Sequence, residues 1–184
     1  MEKYVVLTEF GEQQDIHVET IRCKKMENLL FCWAKKISYP HIGIKSKQKL
    51  IENIKYKRRV LDIDLALMNG THNLYSDFYT VNGIFVLVYA IKIGNFVAPS
   101  NSYVILGFYQ NWDFMEEKNY TSPLEALNRI SILIPWKEFS KEEQFETERI
   151  VNSTNTLNCV IHNLVWNFEC SILGNNLKVY IVKS

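Results

Sequence analysis

Asp62-Ile63-Asp64 sets two carboxylates two residues apart, so on an extended strand both point to one face. A pair of this kind can hold a divalent cation. Nucleotidyl-transferring enzymes use such a pair with a Gly-Ser element upstream, but here the upstream residues are Lys57-Arg58-Arg59. Aspartates facing water from a half-exposed strand account for the same spacing without a metal. Asp77 would make a third carboxylate, and nothing in the sequence brings it near. Glu116-Glu117-Lys118 has the acid-x-Lys spacing that metal-dependent nucleases carry on a strand. Between Trp112-Asp113-Phe114-Met115 and Asn119-Tyr120, it is expected in a loop instead.

Cys159 and His162 are three apart, which on a helix stacks thiol over imidazole. With Cys23 and Cys32 they could assemble a zinc site, but those two cysteines are nine apart and lack the close spacing of a ligand pair. A nucleophilic pair of Cys32 with His41 would lack a third orienting group. Gly-x-Gly-x-x-Gly, Walker, Gly-x-Ser-x-Gly and His-Glu-x-x-His patterns are absent. The expectation is a chain without cofactor or resident metal, and more binder than enzyme.

Charge carries more information than these motifs. The 184 residues hold 21 Lys+Arg and 20 Asp+Glu, yet residues 22–59 contain 12 basic residues against Glu27 and Glu52, a local charge of +10. Lys45, Lys47, Lys49, Lys55, Lys57, Arg58 and Arg59 concentrate that charge, with Tyr56 interleaved. Cations with a stacking ring suit a polyanion such as nucleic acid. A solvated helix face balanced by the acidic C-terminal half gives the same pattern. Tyr109, Trp112, Asp113, Glu116 and Glu117 form an acidic, aromatic-rich segment of the kind that captures a basic partner. Sheet packing is the plainer account of those aromatics.

The elements that would position these residues follow from periodicity. Strands are expected at 4–10, 15–21, 60–68, 74–81, 84–93, 102–109 and 177–182, with Asn82-Gly83 marking a hairpin. Helices are expected at 24–37 and 46–58, and a short strand at 130–136. Ser122-Pro123 with Glu125, and Ser140 with Glu143, are helix-start signals. Leu157, Val160, Ile161, Leu164, Val165, Phe168 and Ile172 keep helical spacing and predict a long C-terminal helix. No internal repeat stands out. The expected fold is a single α+β domain over 1–184. In it, a mainly antiparallel central sheet is packed by two N-terminal helices and the long C-terminal helix.

The longest apolar run, Ile84–Ile91, is too short for a membrane helix, and no secretory signal opens the chain. The four cysteines then read as reduced thiols of a cytoplasmic protein. A small Asn/Lys/Ile-rich chain of this kind has the general profile of bacterial toxin-neutralising immunity proteins and phage-encoded inhibitors. The expected function is masking of a protein partner's site, the partner being a toxin or host effector, through Tyr109, Trp112, Asp113, Glu116 and Glu117. The alternative is a nucleic-acid binder or metal-dependent nuclease built on the basic 22–59 stretch with Asp62 and Asp64.

Overall fold

The computed structural model describes residues 1–11, 15–38, 42–60, 65–94 and 101–184. These fall into two compact units, residues 1–94 and 95–184. The first begins with β1 (Glu2–Phe10) and β2 (Asp15–Cys23), continues with helices α1 (Leu29–Lys36) and α2 (Ile44–Arg59), and closes with β3 (Ala66–Leu67), β4 (Leu74–Val81) and β5 (Ile84–Ile93). The second begins with β6 (Ser102–Tyr109) and β7 (Trp112–Asn119). Helices α3 (Pro123–Leu127), α4 (Ile130–Leu133) and α5 (Lys141–Ser153) follow, then β8 (Asn158–Ile161), β9 (Val165–Ile172) and β10 (Asn175–Lys183).

The expected single central sheet is therefore two five-stranded antiparallel sheets, ordered β2-β1-β5-β4-β3 and β7-β6-β10-β9-β8. The order is the same in both: second strand, first, fifth, fourth, third. The repeat extends to residues and register. Tyr4-Val5-Val6-Leu7 of β1 corresponds to Tyr103-Val104-Ile105-Leu106 of β6, and Val88-Tyr89-Ala90-Ile91-Lys92 of β5 to Val179-Tyr180-Ile181-Val182-Lys183 of β10. Tyr4 pairs with Lys92 as Tyr103 pairs with Lys183, and Leu7 with Tyr89 as Leu106 with Tyr180. So the chain does contain an internal repeat.

Each unit has its own core on the helix-bearing side of its sheet. In the first, Tyr4, Val6, Phe10, Val86, Val88 and Ala90 meet Leu29, Leu30, Trp33, Leu50 and Ile54. In the second, Tyr103, Ile105, Tyr109, Val179 and Ile181 meet Ala126, Leu127, Ile130 and Val151. Alternate residues on the same strands, such as Val5, Leu7, Val104 and Leu106, are also buried. Apolar side chains on both faces explain why these strands read as continuous hydrophobic runs.

The expected C-terminal helix is replaced by the β8–β9 hairpin, turned by His162–Leu164 with Asn163 at φ 54°. The expected strand at 130–136 is a helical turn, α4, followed by a 3-10 turn at Trp136–Glu138. Of the expected strand at 60–68, only Ala66–Leu67 form one, β3; Val60 ends α2 instead, Leu65 and Met68 are outside the strand, and 61–64 lie outside the described residues. Both helix-start signals are realised. Ser122 Oγ accepts from the Glu125 amide, and Ser140 and Glu143 form a reciprocal capping box at the start of α5. Among the described residues, no helix is long and apolar enough to cross a membrane.

Candidate binding surfaces

Four of the five acidic and aromatic candidates are split by the pleat of one edge strand, and the fifth, Tyr109, ends the neighbouring β6. Among the described residues β7 pairs only with β6, and Trp112, Phe114 and Glu116 alternate along it with Asp113, Met115 and Glu117. Phe114 lies in the helix-side core, which puts Trp112 and Glu116 on that side and Asp113 and Glu117 on the other. Tyr109 is fully buried, its ring tilted against that of Phe139 at 5.0 Å between centres, and its hydroxyl donates to Glu143 at 2.8 Å. Burial, with that hydrogen bond, pushes the Tyr109 phenol up to about 12. Glu116 accepts from the Tyr120 hydroxyl and faces Arg129 at 3.8 Å. Trp112, 43% exposed, is the aromatic among the five that reaches solvent.

The basic candidates divide by role. Lys47 donates to the carbonyls of Lys35 and Ile37 at the end of α1, at 2.8 and 2.5 Å. Lys57 faces the buried Asp77 at 3.4 Å and lies over the Tyr79 ring, and Arg58 donates to Asn28 at 2.8 Å. These three tie the first unit together. Lys45, Lys49, Lys55 and Arg59 are exposed on α2 beside Tyr56. Lys35, Lys55 and Arg58 all lie within 5.9 Å of the Phe31 ring centre.

The metal and thiol readings fare differently. Asp62, Asp64 and His41 lie outside the described residues. Asp77 is held by Lys57 and by the Tyr79 hydroxyl. Glu116-Glu117-Lys118 is on a strand, not in a loop, but its Glu116 is occupied as described. Cys159 and His162 are not one helical turn apart. Cys159 is in β8, and His162 is in the turn that follows. Burial, with Glu146 and Glu169 nearby, lifts the Cys170 thiol to about 11, and burial also raises Cys23, so both are poor thiolates at neutral pH. Among the described residues, no group of three or more His, Cys, Asp or Glu is placed to hold a metal ion.

The internal repeat exposes what motif reading missed. Leu50 and Ile54 of α2 are buried four apart, as are Thr147 and Val151 of α5. Matching these pairs sets Lys45 and Lys49 against Glu142 and Glu146, Glu52 against Arg149, and Gln48 against Phe145. The charge of the outer helix face is thus inverted between the two units. Over whole units the same trend holds: residues 1–94 carry 14 basic and 10 acidic residues, net +4, and residues 95–184 carry 7 and 10, net −3.

A second matched pair shows a cost. Glu19 pairs with Val6 and Glu116 with Ile105, equivalent places in the two sheets. Glu116 has Tyr120 and Arg129, whereas Glu19 Oε1 is buried with no hydrogen-bond partner among the described residues. Burial raises the Glu19 carboxyl above its ordinary value, against the pull of Lys36 and Lys47. An acid with a raised folded pKa costs stability as pH climbs through the ordinary carboxylate range to the raised value. Glu19→Gln should therefore stabilise the protein at neutral pH and lose that advantage in acid. Urea unfolding of both proteins at pH 4 and pH 7 checks this.

Compared with protein-family models, with curated proteins and with solved structures, the chain matches none.

Proposed function

We propose that the chain is a non-catalytic binding protein that masks a site on a protein partner, in the manner of an immunity protein or inhibitor. The observation that carries this reading is the contrast between the repeated cores and their outer helices. Strand order, register and core residues recur, while Lys45, Lys49 and Glu52 on α2 become Glu142, Glu146 and Arg149 on α5. A recurring scaffold with reversed helix charge gives the two units different electrostatic preferences for a partner, since complementary charge steers association and excludes wrong partners. The acidic unit suits a basic protein surface.

The exposed cations of α2 with Tyr56, 67% exposed, favour nucleic acid as the second reading. One experiment separates the two. The tagged full chain is used for affinity capture from host lysate, with and without nuclease, beside a Glu142→Lys variant. One protein recovered at fixed ratio, indifferent to nuclease and lost with Glu142→Lys, is the expected result. Nucleic acid recovered by the wild type and released by raised salt would overturn it in favour of the α2 face.

A further inference from the structure

The two β-hairpins that close the sheets end in the same two-residue turn, with different chemistry. Asn82-Gly83 joins β4 to β5 with φ of 52° and 80°, and Leu173-Gly174 joins β9 to β10 with φ of 48° and 89°. Positive φ at both positions is the turn that suits twisted strands, and asparagine is a preferred residue for its first position. A leucine there crowds its own Cβ against the backbone. It is also 62% exposed, so it gains little from burial.

Asn82 has evident work in the first unit. Its amide donates to Ser46 Oγ at 3.0 Å, and its carbonyl oxygen accepts from Lys49 at 3.3 Å, joining the turn to the first part of α2. In the second unit, Leu173 lines one shallow depression with Phe145, Lys141, Glu142 and Glu146 at the start of α5. Phe145, 69% exposed, stands where α2 has Gln48. Two polar residues of the first unit are thus replaced together by two exposed apolar ones that meet in one depression. Neither replacement helps folding or solubility. The flanking charge has changed with them, from Lys45 and Lys49 to Glu142 and Glu146.

We propose that Phe145 and Leu173 are the apolar centre of a docking site for a protein segment that presents an apolar side chain flanked by lysine or arginine. The proposal rests on the masking reading above and names the part of the surface that performs it. Apolar anchors at the centre of an interface supply most of the affinity, and rim charges set partner choice and encounter rate. Glu142 and Glu146 are the acidic part of a rim that also holds Lys141. Arg149 grips Glu146 from the next turn at 2.6 Å, leaving Glu142 the freer of the two to meet an incoming cation.

The test is an NMR titration of the full chain with a 14-residue amphipathic helical peptide of leucine and lysine. The same peptide with glutamate for lysine is the control. The expected result is chemical-shift change centred on 141–146 and 172–175, with the lysine peptide at least tenfold tighter at low salt. Leu173→Asn should weaken that binding tenfold or more without lowering the thermal midpoint, and Phe145→Gln should do the same. Loss of binding without loss of stability is what a merely structural leucine would not give. Unchanged affinity in both variants, no shift up to millimolar peptide, or shifts centred elsewhere would overturn the site. A dimer of the free chain that Leu173→Asn dissolves would overturn it in favour of a second copy as occupant. Capture of a protein partner that survives both substitutions would leave the masking reading standing and the depression rejected.

Discussion

Gly107→Ala is expected to destabilise the second unit by about 3 kcal/mol, the upper end of what overpacking one side chain usually costs. Gly107 is in β6 directly opposite Phe114 of β7, and the Phe114 ring lies across the glycine. A Cβ built on Gly107 would sit 2.1 Å from Phe114 Cζ and 2.2 Å from Cε2, well inside contact distance. The ring cannot swing away cheaply, because Phe114 is 6% exposed and belongs to the core with Ile105, Tyr109 and Val179. The glycine gives up strand propensity so that an aromatic side chain can cover it. If that is the cause, Gly107→Ala and Phe114→Leu together should cost less than the sum of the single changes, by about 1 kcal/mol or more. Denaturant unfolding of the four proteins measures this coupling, and simple additivity would exclude it.

The equivalent position in the first unit is Thr8, where the second large effect lies. Trp33 of α1 is fully buried, and its indole N–H donates to Thr8 Oγ1 at 2.9 Å. The ring also lies 6.3 Å from that of Tyr79. Trp33→Ala should cost about 3–5 kcal/mol through lost burial and the cavity left behind. Thr8→Val keeps the shape and removes the acceptor, so it should cost about 1–3 kcal/mol for a buried donor left unpaired. Domain stabilities are commonly about 5–15 kcal/mol, so Trp33→Ala should leave the first unit marginal. Hydrogen exchange resolved along the chain should show lost protection in β1, β4 and β5. Equal loss for Thr8→Val and Trp33→Ala would mean the hydrogen bond, not the packing, dominates.

The same sheet position therefore faces a tryptophan in one unit and a phenylalanine in the other. That divergence helps explain why the repeat is hard to see in the sequence. The hairpin at Asn82-Gly83 and the capping signals at Ser122 and Ser140 were legible because turn and cap chemistry is local. The strands at 74–81, 84–93 and 102–109 were legible from apolar content. β7 was not, because Asp113, Glu116, Glu117 and Lys118 give it the polarity of a loop. An edge strand tolerates those charges, which also discourage unwanted pairing. β8 and β9 read as helix because Leu164, Val165, Phe168 and Ile172 match a period near 3.6 by coincidence, across a turn that nothing but Asn163 marks. The repeated Val-Tyr followed two residues later by apolar-Lys in β5 and β10 was the signal available for two sheets. For the candidate surface, Trp112 and the exposed lysines of α2 were legible as residue types. Phe145 and Leu173 were not, since an exposed apolar residue has no signature until its polar counterpart in the other unit is beside it.

Each sheet is closed by its own ends. β1 pairs with β5 and β6 with β10, so the central hydrogen-bond ladder of each unit joins its first strand to its last. The β1–β2 and β4–β5 hairpins can form early from local contacts, but they stay apart until the intervening helices have been ordered and the loop closed. Pairings across that much chain cost entropy before they repay it, and they slow folding. Until closure, β1 and β5 each carry an unsatisfied apolar edge of high strand propensity. During synthesis, the first unit reaches its closing strand halfway along the chain, while β6 and β7 must wait for β10. The acidic unit, which carries the proposed docking site, should be the later of the two to become competent.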